Sequence, residues 1–125
     1  MTGRDPDAVP TASELAACAG DVKSLRCTEL ASWLAEGRPC SIVDVRTEGE
    51  FHSHRIPGAR LVPLHELVER VDEVLALPGP LVVHCEHGIR SLDASVYLVW
   101  QGRSDVFNVV EGIAAWPGPL EHGRR

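Results

Sequence analysis

A chain of 125 residues suits one domain that buries roughly two thirds of its unfolded surface, and its 44% hydrophobic and 24% charged content is ordinary for a soluble globular protein. No run of about 18 apolar residues occurs, which excludes a membrane-spanning helix. A net charge of −6 excludes a general nucleic-acid binder, because phosphate neutralisation needs a concentrated basic face.

The start, "MTGRDPDAVPTASELAACAG", lacks a basic stretch followed by an apolar core and does not read as a secretion signal. Cys18, Cys27, Cys40 and Cys85 are scattered without a C-x-x-C pair, a pattern that fits neither a zinc ribbon nor a dithiol of the thioredoxin kind. A reducing cytoplasm is therefore the expected compartment, with four free thiols, three of them packing residues.

In chain order, residues 1–23 form a leader. "GRDPDAVP" is polar and proline-broken and is expected to be disordered. Thr11 and Glu14 then make a T-x-x-E capping box ahead of a short helix. The domain spans 24–121, with a tail over 122–125. "SLRC" reads as a short strand. "TELASWLAEG" reads as a helix with Leu30, Trp33 and Leu34 on one face and Gly37 as its stop. "SIVDV" (41–45) is a buried-type strand, "TEGEFHS" a one-turn helix, and "RIPGARLVPL" a turn into a brief strand. "LHELVERVDEVLA" carries Leu64, Leu67, Val68, Val71, Val74 and Leu75 as a helical stripe that "PGP" ends. "LVVH" is another strand. "RSLDASVYLVWQG" is a helix with Leu92, Val96, Val99 and Trp100 on one face, followed by strand "DVFNVV" and a short helical turn "EGIAAW". This alternation implies an α/β domain with a mainly parallel sheet covered on both faces.

Cys85 stands where strand "LVVH" ends, the edge at which open parallel sheets bind ligands. Glu86, His87, Gly88, Ile89 and Arg90 must turn the chain into a helix starting near Ser91, and Gly88 falls where a tight bend needs a positive φ. Such a bend aims successive amides inward as an anion nest. A thiol inside it ionises easily, and the thiolate is the nucleophile. A lone cysteine ending a buried strand is commonly just a small hydrophobe; the nearby glycine and arginine weigh toward chemistry.

Three segments in order carry a further signal: "IVDVRTEGEFHSHRIPGARLVPL", "VVHCEHGIRS" with its C-x-x-G-x-R-S pattern, and "DVFNVVEGIAAW". Over roughly Leu25 to Glu121 the chain resembles the rhodanese-like family of sulfurtransferases. The resemblance implies a five-stranded, mainly parallel sheet with helices on both faces. It also implies that Cys85 takes the outer sulfur of a donor such as thiosulfate, becomes a persulfide and passes the sulfur to a thiol or protein acceptor. No cofactor is implied. The chain departs from the family pattern at His54 and Arg55, which replace a glycine and a histidine, and at Glu111, which replaces a glycine near the site's mouth.

Arg90 is the expected anchor for an anionic donor, since its charge survives at any working pH. Glu86, His87, Gly88, Ile89 and Ser91 complete the bend, with Ser91 also expected to cap the next helix. Arg46 either joins the same mouth or, as the favoured alternative, clamps Glu50 four residues on. Asp44 is expected to be structural, accepting from loop amides. Three rivals remain. A phosphatase or arsenate reductase would use C-x5-R, whereas only four residues separate Cys85 from Arg90. A non-enzymatic module need not keep the thiol, Gly88 and Arg90 together. A metal site built from His52, His54, His84, Cys85 and His87 is disfavoured because neighbours on a strand face opposite ways.

Overall fold

The computed structural model describes residues 7–123; the first six residues of the leader and the last two of the tail lie outside the described residues. Five strands, β1 (Lys23–Leu25), β2 (Ser41–Asp44), β3 (Arg60–Leu61), β4 (Leu81–His84) and β5 (Val106–Val109), form one sheet in the order β1-β5-β4-β2-β3. Every pairing is parallel. The helices are α1 (Ala12–Ala19), α2 (Cys27–Ala35), α3 (Glu48–Ser53), α4 (Val71–Leu75) and α5 (Ile89–Trp100), with 3-10 turns at Leu64–Glu66 and Ile113–Ala115.

Side chains alternate across a strand, and the alternation divides the core cleanly. Val43, Leu81, Val83, Cys85 and Val106 pack with Val74 of α4 and with Ala94 and Leu98 of α5. Ile42, Val82 and Val109 face the other way, onto Leu30 of α2 and Phe51 of α3. Both faces of β4 are thus covered, and its short apolar run lies wholly buried.

The expected elements appear, with three corrections. The stripe from Leu64 to Leu75 is not one helix. The Leu64 amide donates to the Val45 carbonyl at 3.0 Å, tying the first turn to the sheet edge, and Arg70 (φ −105°, ψ 15°) interrupts the ladder before α4. Val68 accordingly lies exposed. On α5 the expected Val96 and Trp100 are buried and Val99 is partly so, but Leu92 is 42% exposed, and the buried set also takes in Ser91, Ala94, Ser95 and Leu98. The small residues let the helix approach β4 and β5 closely. Finally, α5 starts at Ile89, two residues earlier than expected, because Gly88 (φ 90°) is its N-cap. The capping box of α1 forms as expected, and Gly37 (φ 69°) follows the end of α2. Leu15, Ala16 and Ala19 of α1 line a shallow cavity with Leu92, Val96 and Tyr97 of α5.

Candidate active site

Parallel strands deliver their carboxyl ends to one edge, so the segments after β2, β4 and β5 meet there. Cys85 leaves β4 on the face covered by α5, and the chain then bends through Glu86, His87 and Gly88 before α5 begins. The bend wraps the sulfur. The Gly88 amide donates to Cys85 Sγ at 3.2 Å and the Ser91 amide at 3.3 Å, while Ser91 Oγ lies 3.3 Å away.

Burial raises the thiol pKa, but the Ser91 hydroxyl and the amides of Ser91, His87 and Gly88 outweigh it. The net shift is downward from the ordinary thiol value. Cys27 shows the opposite balance. Burial, together with Glu111, pushes its thiol up to about 11, leaving it neutral, and its Sγ–H donates to the Gly112 carbonyl at 3.1 Å. Cys85 is only 1% exposed, so its sulfur lies at the floor of the bend rather than on the surface. All four cysteines are unpaired.

Asn108 of β5 holds the bend from behind, and the sequence reading missed it. Its amide nitrogen donates to the Gly88 carbonyl at 3.2 Å, and its Oδ1 accepts from the Ser91 hydroxyl at 2.6 Å. One side chain thereby fixes both ends of the turn. Ser91 is the third residue of α5 and does not cap it, which corrects the expected role: its hydroxyl is spent on Asn108 and Cys85 instead. The available signal was a lone amide in an otherwise apolar strand, on the same side of the sheet as Val106.

Gly112 (φ 71°) presses against the bend from β5's exit. A Cβ there would come 2.2 Å from the Glu86 carbonyl oxygen and 2.5 Å from the His87 nitrogen, so only glycine fits. Glu111 is engaged with the start of α2. Its carboxylate accepts the Cys27 amide at 2.6 Å, at the N-terminus of α2, and lies 3.8 Å from Arg26.

The two arginines are paired differently from the expected Arg46–Glu50 clamp, which is a correction. Arg46 is fully buried and donates to Asp44 through Nε (3.0 and 3.1 Å) and Nη2 (2.8 Å). It also reaches the His54 carbonyl at 2.6 Å and Glu86 at 3.4 Å. It ties β2, α3 and the bend together, and a side chain so enclosed presents nothing to a ligand at the mouth. Asp44 accepts the Arg46 amide as well, at 3.0 Å. Glu50 instead binds Arg90 through two hydrogen bonds of 2.8 and 3.0 Å, so Arg90 is not the free cation the sequence suggested. These register-distant pairings reflect the meeting of the β2 and β4 exits, not helical spacing.

The remaining residues are quickly placed. The side chains of His87 and Ile89 are exposed and Glu86 is half-buried. His84 faces Asp44 at 3.5 Å, and burial pushes its pKa down, keeping the ring neutral. Among the described residues no group of three or more His, Cys, Asp or Glu side chains is placed to hold a metal. The substitution at His54 needs no special backbone, since its φ of −164° is ordinary extended chain. Arg55 is buried, donating to the carbonyls of Phe51 (3.2 Å) and Gly123 (2.5 Å) with its guanidinium 5.0 Å over the Phe51 ring.

The sequence model described as the Rhodanese-like domain matches residues 27–118. The chain belongs to the rhodanese-like family. A protein named "Sulfurtransferase" from Allochromatium vinosum is 34% identical over 95 residues, covering 76% of this chain and 88% of that one. "Thiosulfate sulfurtransferase GlpE" from Pseudomonas syringae is 41% identical over 75 residues, 60% of this chain and 70% of its own. Among solved structures, a rhodanese-like domain protein from Staphylococcus aureus superposes with a TM-score of 0.74 at 33% identity, covering 82% of this chain and all of that one. At the level of the family, these relatives make the protein a sulfurtransferase.

Proposed function

We propose that the protein moves sulfane sulfur from a donor to a thiophilic acceptor through a persulfide on Cys85. The observation that carries this reading is the convergence of the Gly88 and Ser91 amides on Cys85 Sγ. The thiolate attacks the outer sulfur of the donor, the donor's S–S bond breaks, and the leaving group departs with the electron pair. With thiosulfate that leaving group is sulfite. An acceptor thiolate, from a small molecule or a protein, then attacks the terminal sulfur and restores the Cys85 thiolate. Two displacements at one sulfur are covalent catalysis of the ordinary kind, and fixed amides stabilise the anionic sulfur in both states without reorganising.

Glu86, His87 and Gly88 serve as the bend, Ile89 and Arg90 open α5 beside it with Arg90 held by Glu50, Ser91 is a donor to the sulfur, and Arg46 is the tie that positions Glu86. No cofactor takes part. Four unpaired cysteines agree with a reducing cytoplasm as the place of action. A C-x4-R bend, one residue shorter than that of the related phosphatases, favours a thin terminal sulfur over a tetrahedral phosphate. The test is thiocyanate release from thiosulfate and cyanide. Turnover by the wild type that Cys85→Ser abolishes supports the reading; equal release by both proteins overturns it.

A further inference from the structure

His84, the last residue of β4, is fully buried and plays no part in the transfer steps above. Side chains alternate along a strand, so its ring lies on the face of the sheet opposite Cys85 Sγ, beside its register partner Asp44. Its two nitrogens have unlike surroundings. Nδ1 is 3.3 Å from the Cys85 carbonyl oxygen, within hydrogen-bond reach. Nε2 is buried, has no hydrogen-bond partner among the described residues, and faces Asp44 Oδ2 at 3.5 Å. A carbonyl oxygen only accepts, so Nδ1 must carry a proton to bond it. The charged groups acting on the ring are Asp44 and Arg46 at the exit of β2 and Glu86 on the bend. Burial, helped by Arg46, outweighs Asp44, the Cys85 carbonyl and Glu86, so the ring is neutral and Nε2 is bare.

Resting on the reading of Cys85 as the nucleophile, the structure assigns His84 as a positioning residue: its Nδ1–H holds the Cys85 carbonyl, and with it the peptide that opens the bend. The same carbonyl accepts the Ile113 amide at 2.9 Å. Two donors on one oxygen, one from β4 itself and one from the segment after β5, fix the plane of the Cys85–Glu86 peptide. That plane sets the course of the next residues, and so where the Gly88 and Ser91 amides stand relative to Sγ. A neutral ring suits the task. An imidazolium would compete with Arg46 for Asp44, whereas the neutral ring leaves that pair intact.

Two measurements on the full chain test this role. Long-range proton–nitrogen correlation NMR of the chain with isotope-labelled histidine rings is expected to show the His84 proton on Nδ1 at neutral pH. A proton on Nε2, or on both nitrogens, overturns the assignment. The second measurement is the pH midpoint of iodoacetamide alkylation, followed on the peptide containing Cys85. The side-chain amide of His84→Asn can place its nitrogen where Nδ1 stood, whereas that of His84→Gln reaches toward the place of Nε2. His84→Gln is expected to raise the midpoint by about half a pH unit or more, because a loosened bend donates less well to the thiolate. His84→Asn is expected to show less than half that shift. A ring that merely fills space predicts the reverse order, since Asn leaves the larger void. Equal midpoints in the two variants, or a higher one in His84→Asn, overturn the positioning role. Neither readout involves a sulfur donor, so the role can fail while thiocyanate release still requires Cys85, and the converse.

Discussion

Gly112 lies directly against the Glu86–His87 peptide, so that a Cβ on Gly112 would fall 2.2 Å from the Glu86 carbonyl oxygen. The exit of β5 is thus a wall on which the bend around Cys85 rests. The Ile113 amide donates to the Cys85 carbonyl at 2.9 Å and the Ala114 amide to the Glu86 carbonyl at 3.1 Å, which pins that wall in place. Gly112→Ala must move the bend or itself. The expected outcome is a loss of sulfur-transfer rate of tenfold or more, with melting lowered by a strain of about 1–3 kcal/mol. Normal transfer by a stably folded Gly112→Ala protein would show that the bend does not depend on this wall.

The pH dependence of Cys85 follows from its hydrogen bonds. Its pKa is lowered despite burial, so its alkylation by iodoacetamide is expected to reach half-maximal rate below the midpoint of an ordinary thiol. Removing one donor raises that midpoint: Ser91→Ala takes away the hydroxyl that most strongly lowers the value. A rate-pH profile of Ser91→Ala superimposable on the wild type would contradict this assignment.

Asn108 competes with Cys85 for a single proton. The Ser91 hydroxyl donates to Asn108 Oδ1 at 2.6 Å, and it must turn toward Sγ to help the thiolate. In Asn108→Leu, similar in size but without an acceptor, Ser91 serves the sulfur alone. The alkylation midpoint is expected to move down, and Ser91→Ala in that background is expected to move it up by more than it does in the wild type. A bend merely loosened by the lost Gly88 contact would raise the midpoint and make the two substitutions additive.

Acid stability tests the Glu50–Arg90 pair. The Arg90 hydrogen bonds hold the Glu50 carboxyl down to about 2, against an ordinary 4.5. A depressed carboxyl contributes stability that is fully present above the unfolded value and disappears as pH falls through the folded one. The contribution therefore fades between pH 4.5 and about 2. Glu50→Gln is expected to be less stable at neutral pH, with its denaturation midpoint converging on that of the wild type across this window. Parallel curves would mean that the pair contributes nothing.

The strands and the position of Cys85 were legible because they rest on local signals. Short segments rich in Val, Ile, Leu and Phe, SIVDV, LVVH and DVFNVV, mark β2, β4 and β5, and the cysteine that ends the second of them sits at the ligand-binding edge. The pairing of charges was not legible. Arg46 and Glu50 are well spaced for a helical pair, but Arg46 lies before α3, at the exit of β2, where Asp44 is nearer. Glu50 meets Arg90 only because parallel strands bring their exits together across 40 positions of sequence. Asn108 escaped for a related reason: a polar residue in a strand declares its burial only once the helix packed on that face is known. The break between Leu64 and Val71 arose from a backbone hydrogen bond to Val45, which no periodicity encodes.

Intact-mass analysis of the full chain after exposure to cysteine persulfide, and separately to thiosulfate, tests sulfur carriage by Cys85 most directly. The expected result is a gain of one sulfur atom with at least one of these donors, removed by cyanide and absent in Cys85→Ser. A protein whose mass is unchanged by both donors, or whose added sulfur persists in Cys85→Ser, would contradict the account.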